Sequence, residues 1–240
     1  MTEIIEPTQR TAARVAGALY LVIMANSLLA EFFLRAPLMV RGDAARTAQN
    51  ILASERLFRI STVSVLMSVV GNVILLMALY VVLQPINKHV ALLAAFFRVA
   101  ECVLFAVSAA SDVVALRLLS GSDYLRAFET EQLQALARAL ISTRHDVGLI
   151  GAVFLGLGST VFAWLWLKSR YIPRLLAAWG IFASLTLALG ILTMMVFPEL
   201  TSIIGPAYWA PLFIFEVTLG VWLLVKGIRA SVVDTVPQSA

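Results

Sequence analysis

The sequence predicts an all-α protein: a polytopic membrane helical bundle with about six transmembrane helices and two interfacial amphipathic helices. Of its 240 residues, 61% are hydrophobic and 13% are charged, and the mean hydropathy is +0.93. Soluble domains typically carry about 25% charged and about 45–50% apolar residues. Here the excess apolar residues form runs of bilayer-spanning length rather than alternating strands, which favours helices over a β-barrel.

Polar turns separate the apolar runs and define the predicted domain organisation. We predict a polar N-terminal tail over residues 1–11, one six-helix membrane domain over residues 12–229 and a polar C-terminal tail over residues 230–240. The first run is too long for the apolar core of a signal peptide and lacks a clear cleavage site, so we expect it to be retained. The predicted spans are Ala12–Leu34, Arg59–Leu83, Ala91–Leu116, Arg144–Leu167, Leu175–Phe197 and Ala207–Val225.

Two longer connections have the composition of amphipathic helices at the membrane surface. In the first, Gly42 and Asp43 form a turn and a candidate N-cap before the predicted helix 44–57. In the second, the turn residues 120–123 precede a mixed apolar and charged segment over residues 123–143. We therefore expect both long connections on the same side of the membrane.

The third predicted span carries charge on one helical face. At about 100° per residue, Arg98, Glu101, Ser108 and Asp112 fall within one narrow sector. A charged group facing lipid at mid-membrane costs at least ~2.5–3.5 kcal/mol, so this face must turn toward protein or water. We expect the other helices to pack around this span.

Polar residues of several spans fall at two levels of the predicted bundle. Near the long connections, Glu31 ends span one, Asp112 lies near the end of span three, and His145 and Asp146 begin span four. Other polar groups lie deeper or toward the opposite side. The sequence therefore predicts a polar intramembrane pocket with a buried Arg–carboxylate group beneath it. Its candidate ligand-binding residues are Glu31, Asn72, Arg98, Glu101, Asp112, His145, Asp146 and Glu216.

A purely structural alternative explains the same charges by interhelical pairing. Arg98 and Glu101 are three residues apart on one helix and would neutralise each other there. In that case Glu31 or Glu216 supplies a second carboxylate, and no cavity is required.

Several function classes receive no support from the sequence. Cys102 is the single cysteine, which excludes an intramolecular disulfide and a Cys-based zinc site. The net charge is +4, but the basic residues lie at the ends of apolar runs, where orientation signals belong, so we expect no nucleic-acid partner. Nucleotide-binding glycine loops and hydrolase or zinc-protease motifs are absent. We predict no cofactor, no metal and no catalytic residue.

Three functional hypotheses remain open. The leading one is a non-enzymatic membrane protein that binds or passes a small solute, ion or proton, with membrane lipids as its other partners. The second is a membrane-embedded enzyme acting on a lipid or isoprenoid, which would use His145 with Asp146, Asp112 or Glu31, also as zinc ligands. The third is a structural or accessory membrane subunit.

Charge distribution favours cytoplasmic termini. Six spans place both termini on one side, and the basic residues of that side are concentrated in short turns and tails. The basic residues of the other side are spread over two long connections and diluted by acids. The concentrated set is Arg10, Arg14, Lys88, Lys168, Arg170, Arg174, Lys226 and Arg229.

Segments spread over nearly the whole chain resemble a known family. They include residues 13–17, 31–33, 42–55, 97–101, 120–124, 148–151, 171–174 and 216–227. Together they resemble the bacterial integral membrane proteins grouped as domain of unknown function family 4386. The resemblance implies a helical protein of the bacterial inner membrane and implies no activity. Of residues 144–148, it carries over only His145 as a position of interest.

Overall fold

Every regular element in the described part of the chain is helical. The computed structural model describes residues 5–40, 42–121, 128–201 and 205–229. Short 3-10 helices cover Ala36–Leu38, Pro198–Leu200 and Gly205–Trp209, and a π-helix covers Ala30–Arg35. The α-helices are α1 Pro7–Leu29, α2 Ala44–Ala53, α3 Glu55–Leu83, α4 Lys88–Leu119, α5 Thr130–Ser169, α6 Arg174–Val196 and α7 Ala210–Val225.

Within the described ranges, six helices are long and apolar enough to cross a bilayer, which confirms the predicted fold class. They are α3 to α6, α1 together with its continuation to Leu38, and α7 together with the preceding residues from Ala207. Each contains an 18-residue window of high hydropathy with at most two charged residues. A helix rises about 1.5 Å per residue, so the shortest of them, 19 residues, still covers most of a hydrocarbon core ~30 Å thick. The protein is a multi-pass membrane protein.

The interfacial segments differ in how they join the spans. In the first, Asp43 caps α2 by accepting a 2.8 Å hydrogen bond from the backbone N–H of Arg46, as the sequence predicts. In the second, the described part of the predicted helix 123–143 is continuous with span four in α5, because no glycine or proline interrupts residues 130–147. Residues 122–127 of that prediction lie outside the described part of the chain.

The predicted tails are described only at their inner ends. Helix α1 begins at Pro7, within the segment that we predict as an N-terminal tail. Residues 1–4 and the whole predicted tail 230–240 lie outside the described residues.

The chain divides into two compact units. Unit 1 comprises Met1–Leu21, Val73–Val99 and Val153–Ala240, and unit 2 comprises Val22–Asn72 and Ala100–Ala152.

Glycines bring helix backbones together within unit 1. A Cβ on Gly17 of α1 would lie 2.7 Å from the backbone nitrogen of Leu224 in α7. A Cβ on Gly156 of α5 would lie 2.7 Å from the carbonyl oxygen of Ser184 in α6. Real side-chain carbons do not approach backbone this closely, so only glycine permits these contacts. Small residues have this role in membrane helices because close van der Waals packing replaces the hydrophobic effect as the force between them.

An apolar cluster and a polar link hold unit 2 together. Leu38, Ile51, Phe58 and Ile141 belong to a buried cluster that joins the end of the first span to α2, α3 and α5. Below it, the Asn26 amide donates hydrogen bonds to the Ser64 carbonyl (2.8 Å) and the Ser68 hydroxyl (2.9 Å), which connect α1 to α3. This unit also contains a buried ionic cluster.

Candidate functional site

Asp112 of α4 is the centre of a buried ionic cluster in unit 2. Its side chain is 0% exposed, and both carboxylate oxygens accept hydrogen bonds from Arg35. Arg35 Nη1 lies 2.9 Å from Oδ2 and Arg35 Nη2 lies 3.0 Å from Oδ1. Such a bidentate pair matches the planar fork of a guanidinium to a carboxylate and is among the stronger hydrogen-bonded arrangements in proteins.

Arg144 of α5 is the second cation on the same carboxylate. Its Nε lies 2.8 Å from Asp112 Oδ2, and 18% of its side chain is exposed. The Nε contact does not meet hydrogen-bond geometry, so charge attraction rather than a directed hydrogen bond holds it. Among the described residues, no other hydrogen bond or ion pair is formed by Arg144. We call Arg35, Asp112 and Arg144 the triad.

A π-helix positions Arg35 for this contact. In the segment Ala30–Arg35, the Ala36 N–H bonds the carbonyl oxygen of Glu31, five residues earlier. Single π-helical turns are rare and occur frequently at functional sites. The Arg35 guanidinium carbon also lies 5.6 Å from the ring centre of Phe58, a buried residue of α3. The triad therefore connects the end of the first span, α4 and α5, with α3 beside it.

Three of the predicted site residues lie around the triad at the surface of the molecule. Glu31, in the π-helix, is exposed and acts electrostatically on Arg144. His145 and Asp146 directly follow Arg144 and are exposed. Within the described ranges, His, Cys, Asp and Glu side chains form no group of three that could hold a metal ion. The zinc alternative built on His145 gains no support, since Asp112 is already held by two arginines.

The charged face predicted for span three turns away from lipid. Arg98, Glu101 and Asp112 are each at most 3% exposed, which confirms that expectation. Asn72 is also buried.

Unit 1 contains a second place where charges are buried. There, Gly158 of α5 makes room for Arg98, because a Cβ on Gly158 would lie 2.9 Å from Arg98 Cγ. Arg98 acts electrostatically on Glu216 of α7, which is partly buried. Of the predicted site residues, Asp112 thus belongs to the triad, whereas Arg98 and Glu216 lie in this second place.

A shallow depression lies elsewhere in unit 2. It has about 150 Å³ of empty space, including space open to solvent, between α2, the end of α4 and the start of α5. Thr47, Leu119 and Ile141 are among its lining residues, and no triad residue is. This depression is therefore not the predicted polar pocket, and a pocket at Asp112 stays a prediction.

Arg35 and Arg144 are not among the site residues predicted from the sequence. Both stand beside predicted span boundaries, where basic residues commonly mark orientation. The sequence did contain one indication of their role. Asp112 lies at the same predicted depth in the membrane as these two arginines, and a buried carboxylate requires a cation.

A family model described as "Domain of unknown function (DUF4386)" matches residues 15–227. No curated protein and no solved structure shows a significant match.

Proposed function

The chain belongs to the DUF4386 family, and from this premise we propose a non-enzymatic protein of the bacterial inner membrane that binds or passes a small solute or ion at the triad. In this proposal both termini are cytoplasmic, and Arg144 is the group that meets the solute.

The proposal is based on the number of charges at Asp112, where two arginines meet one carboxylate. Two guanidinium groups share one fully buried carboxylate, although a single bidentate arginine already balances it. A second buried cation is costly unless something else compensates it, and intramembrane ionisable groups are by default functional candidates. Glu31 supplies part of that compensation from an exposed position. An anionic solute near Arg144 would supply more.

The exposure of Arg144 supports it as the point of contact. Arg35 is only 5% exposed and uses both terminal nitrogens on Asp112. Arg144 is more exposed and contacts Asp112 through Nε, which leaves its two terminal nitrogens for a carboxylate, a phosphate or a simple anion. The bidentate pair of Asp112 and Arg35 then holds Arg144 in a fixed orientation.

The test is anion-dependent stability of the purified full-length protein in a neutral detergent. Chloride, acetate and inorganic phosphate are titrated separately at constant ionic strength, with sulfonate buffer ions as the replacement. We expect at least one of these anions to raise the thermal midpoint of the parent protein and not that of Arg144→Gln. Arg138→Gln, a partly buried arginine on the same helix and outside the triad, is the matched control and is expected to respond as the parent does.

If Arg144→Gln responds to all three anions as the parent does, the triad is not an anion site. The burial of Asp112 favours a second candidate function in that case, a structural or accessory subunit in which the triad only holds the spans together. That role predicts lower stability for Arg144→Gln and no anion dependence in either protein.

Cytoplasmic termini are tested with reporters fused after residue 229. A reporter that is active only in the cytoplasm should be active there, and one that is active only in the periplasm should be inactive. The reverse pattern would contradict the orientation and leave the triad proposal unaffected.

A further inference from the structure

Exposed basic residues collect at one end of unit 1. Arg170 lies in the turn between α5 and α6, Lys168 and Arg174 lie at the helix ends that flank it, and Lys226 and Arg229 follow α7. We call these five residues the basic end. Further exposed basic residues stand at the starts of α1 and α4, which helix direction places at the same end. At this end, Glu6 is the only acidic residue among the described residues of unit 1.

Backbone and side-chain contacts fix the segments of this end to one another. The backbone N–H of Arg229 donates a 3.0 Å hydrogen bond to the carbonyl of Tyr171, so the segment after α7 is tied to the turn after α5. The Gln9 amide donates to the carbonyl of Val82, which ties the start of α1 to the end of α3. The charges are therefore held on one framework and not on independent loops.

The turn after α5 is itself fixed. Ser169 and Tyr171 are both buried, and the Tyr171 N–H donates to the Ser169 hydroxyl at 3.3 Å. Between them, Arg170 is exposed and holds a φ of 56°, in the left-handed region that residues other than glycine rarely adopt. Burial on both sides maintains that conformation and directs the Arg170 side chain away from the core.

Two cations of this end lie against tryptophan rings. Lys168 Nζ is 4.5 Å from the ring centre of Trp164, and the Arg229 guanidinium carbon is 5.0 Å from the ring centre of Trp222. Tryptophan is enriched at the boundary between hydrocarbon and headgroups, so these pairs place the two charges at the level of lipid phosphates.

From this geometry we propose that the basic end of unit 1 binds the headgroups of anionic phospholipids. A juxtamembrane basic residue gains about fivefold in affinity from a nearby anionic lipid surface. The fixed turn adds to this because its backbone needs no ordering when the lipid binds. The inference does not depend on the triad, which lies in unit 2.

The test is native mass spectrometry of the full-length protein, with phosphatidylglycerol and phosphatidylcholine at equal concentration. We expect the parent to retain phosphatidylglycerol preferentially. The double variant Lys168→Gln/Arg229→Gln should lose about 25-fold in apparent affinity for it, from about fivefold per charge. The matched control Arg46→Gln/Arg56→Gln removes two exposed arginines of unit 2 and should lose less than about twofold.

Two further variants keep the test decisive. Lys168→Arg/Arg229→Lys preserves charge and should retain the parent preference. If Lys168→Gln/Arg229→Gln does not fold, Arg174→Gln/Lys226→Gln removes two charges without touching the tryptophan pairs and carries the same expectation. Equal retention of the two lipids by the parent, or an equal loss in the Arg46→Gln/Arg56→Gln control, would overturn the proposal.

Discussion

Replacing Asp112 with asparagine tests the ionic centre of unit 2 most directly. Asparagine has nearly the same shape, so the change removes charge and leaves packing almost intact. In the parent, the carboxylate is 0% exposed and lies within 3.0 Å of nitrogens from Arg35 and Arg144. After the substitution, two guanidinium groups would face each other across a neutral amide.

The expected loss of stability follows from these contacts. At ~4 Å between charge centres and an effective dielectric constant of ~20, each attraction is worth about 4 kcal/mol before desolvation. Repulsion between Arg35 and Arg144 offsets part of the sum. Breaking a buried ion pair by removing one partner costs ~3–5 kcal/mol. We expect a loss of that size for Asp112→Asn, which is roughly a 100- to 4,000-fold shift in the unfolding equilibrium.

The assay is equilibrium unfolding in mixed micelles, with sodium dodecyl sulfate as the denaturant and helical circular dichroism as the signal. The neighbouring substitution Ser111→Ala is the matched control. It removes a 3.4 Å hydrogen bond to the Val107 carbonyl on the exposed side and should change stability by less than about 0.5 kcal/mol. The triple variant Arg35→Met/Asp112→Leu/Arg144→Met should lose less stability than Asp112→Asn, since it leaves no unpaired charge. Asp112→Asn within about 0.5 kcal/mol of the parent would refute the reasoning.

The same unfolding assay checks three further predictions. Gly17→Val should destabilise the protein by more than about 3 kcal/mol, because the new Cβ would lie 2.7 Å from the backbone of Leu224. Gly190→Ala should cost less than about 1 kcal/mol, because no atom lies nearer than 3.5 Å to its Cβ. Equal losses of stability in the two variants would contradict the close approach of the helices at Gly17. Asp43→Ala should cost about 1 kcal/mol of stability through loss of the α2 cap, while Asp43→Asn should retain most of the capping energy. If Asp43→Ala is as stable as the parent, the cap does not contribute. Ser184→Ala should be neutral or stabilising, because this fully buried hydroxyl has no hydrogen-bond partner among the described residues; a loss above about 1 kcal/mol would indicate a partner.

The spans were predictable because a bilayer requires long uninterrupted apolar runs, and few sequences satisfy that by chance. The cap at Asp43 was predictable for a similar reason, since its signal is local. The end of the predicted interfacial helix at Thr143 was less predictable. The polar residues 144–146 resemble a boundary, but helices continue through polar residues unless glycine, proline or a cap stops them.

The composition of the site was only partly predictable. Burial of Arg98, Glu101 and Asp112 follows from the cost of placing charge in lipid, and the sequence identified all three. The partners of Asp112 did not follow, because Arg35 stands directly after an apolar run and its burial depends on a π-helical register. Sequence periodicity at 3.6 residues per turn carries no information about such a register.

The π-helix at Ala30–Arg35 sets the direction in which the Arg35 side chain leaves the helix. A π-turn holds one residue more than an α-turn, and an α-helix advances about 100° per residue, so relaxing this turn to α geometry with every residue kept would swing Arg35 by about that angle around the axis. Asp112 would then face a backbone that is better formed and a guanidinium that points elsewhere. Removal of one residue from this turn would instead allow a regular α-helix with Arg35 in nearly its present direction, so a chain shorter by one residue here could keep the pairing.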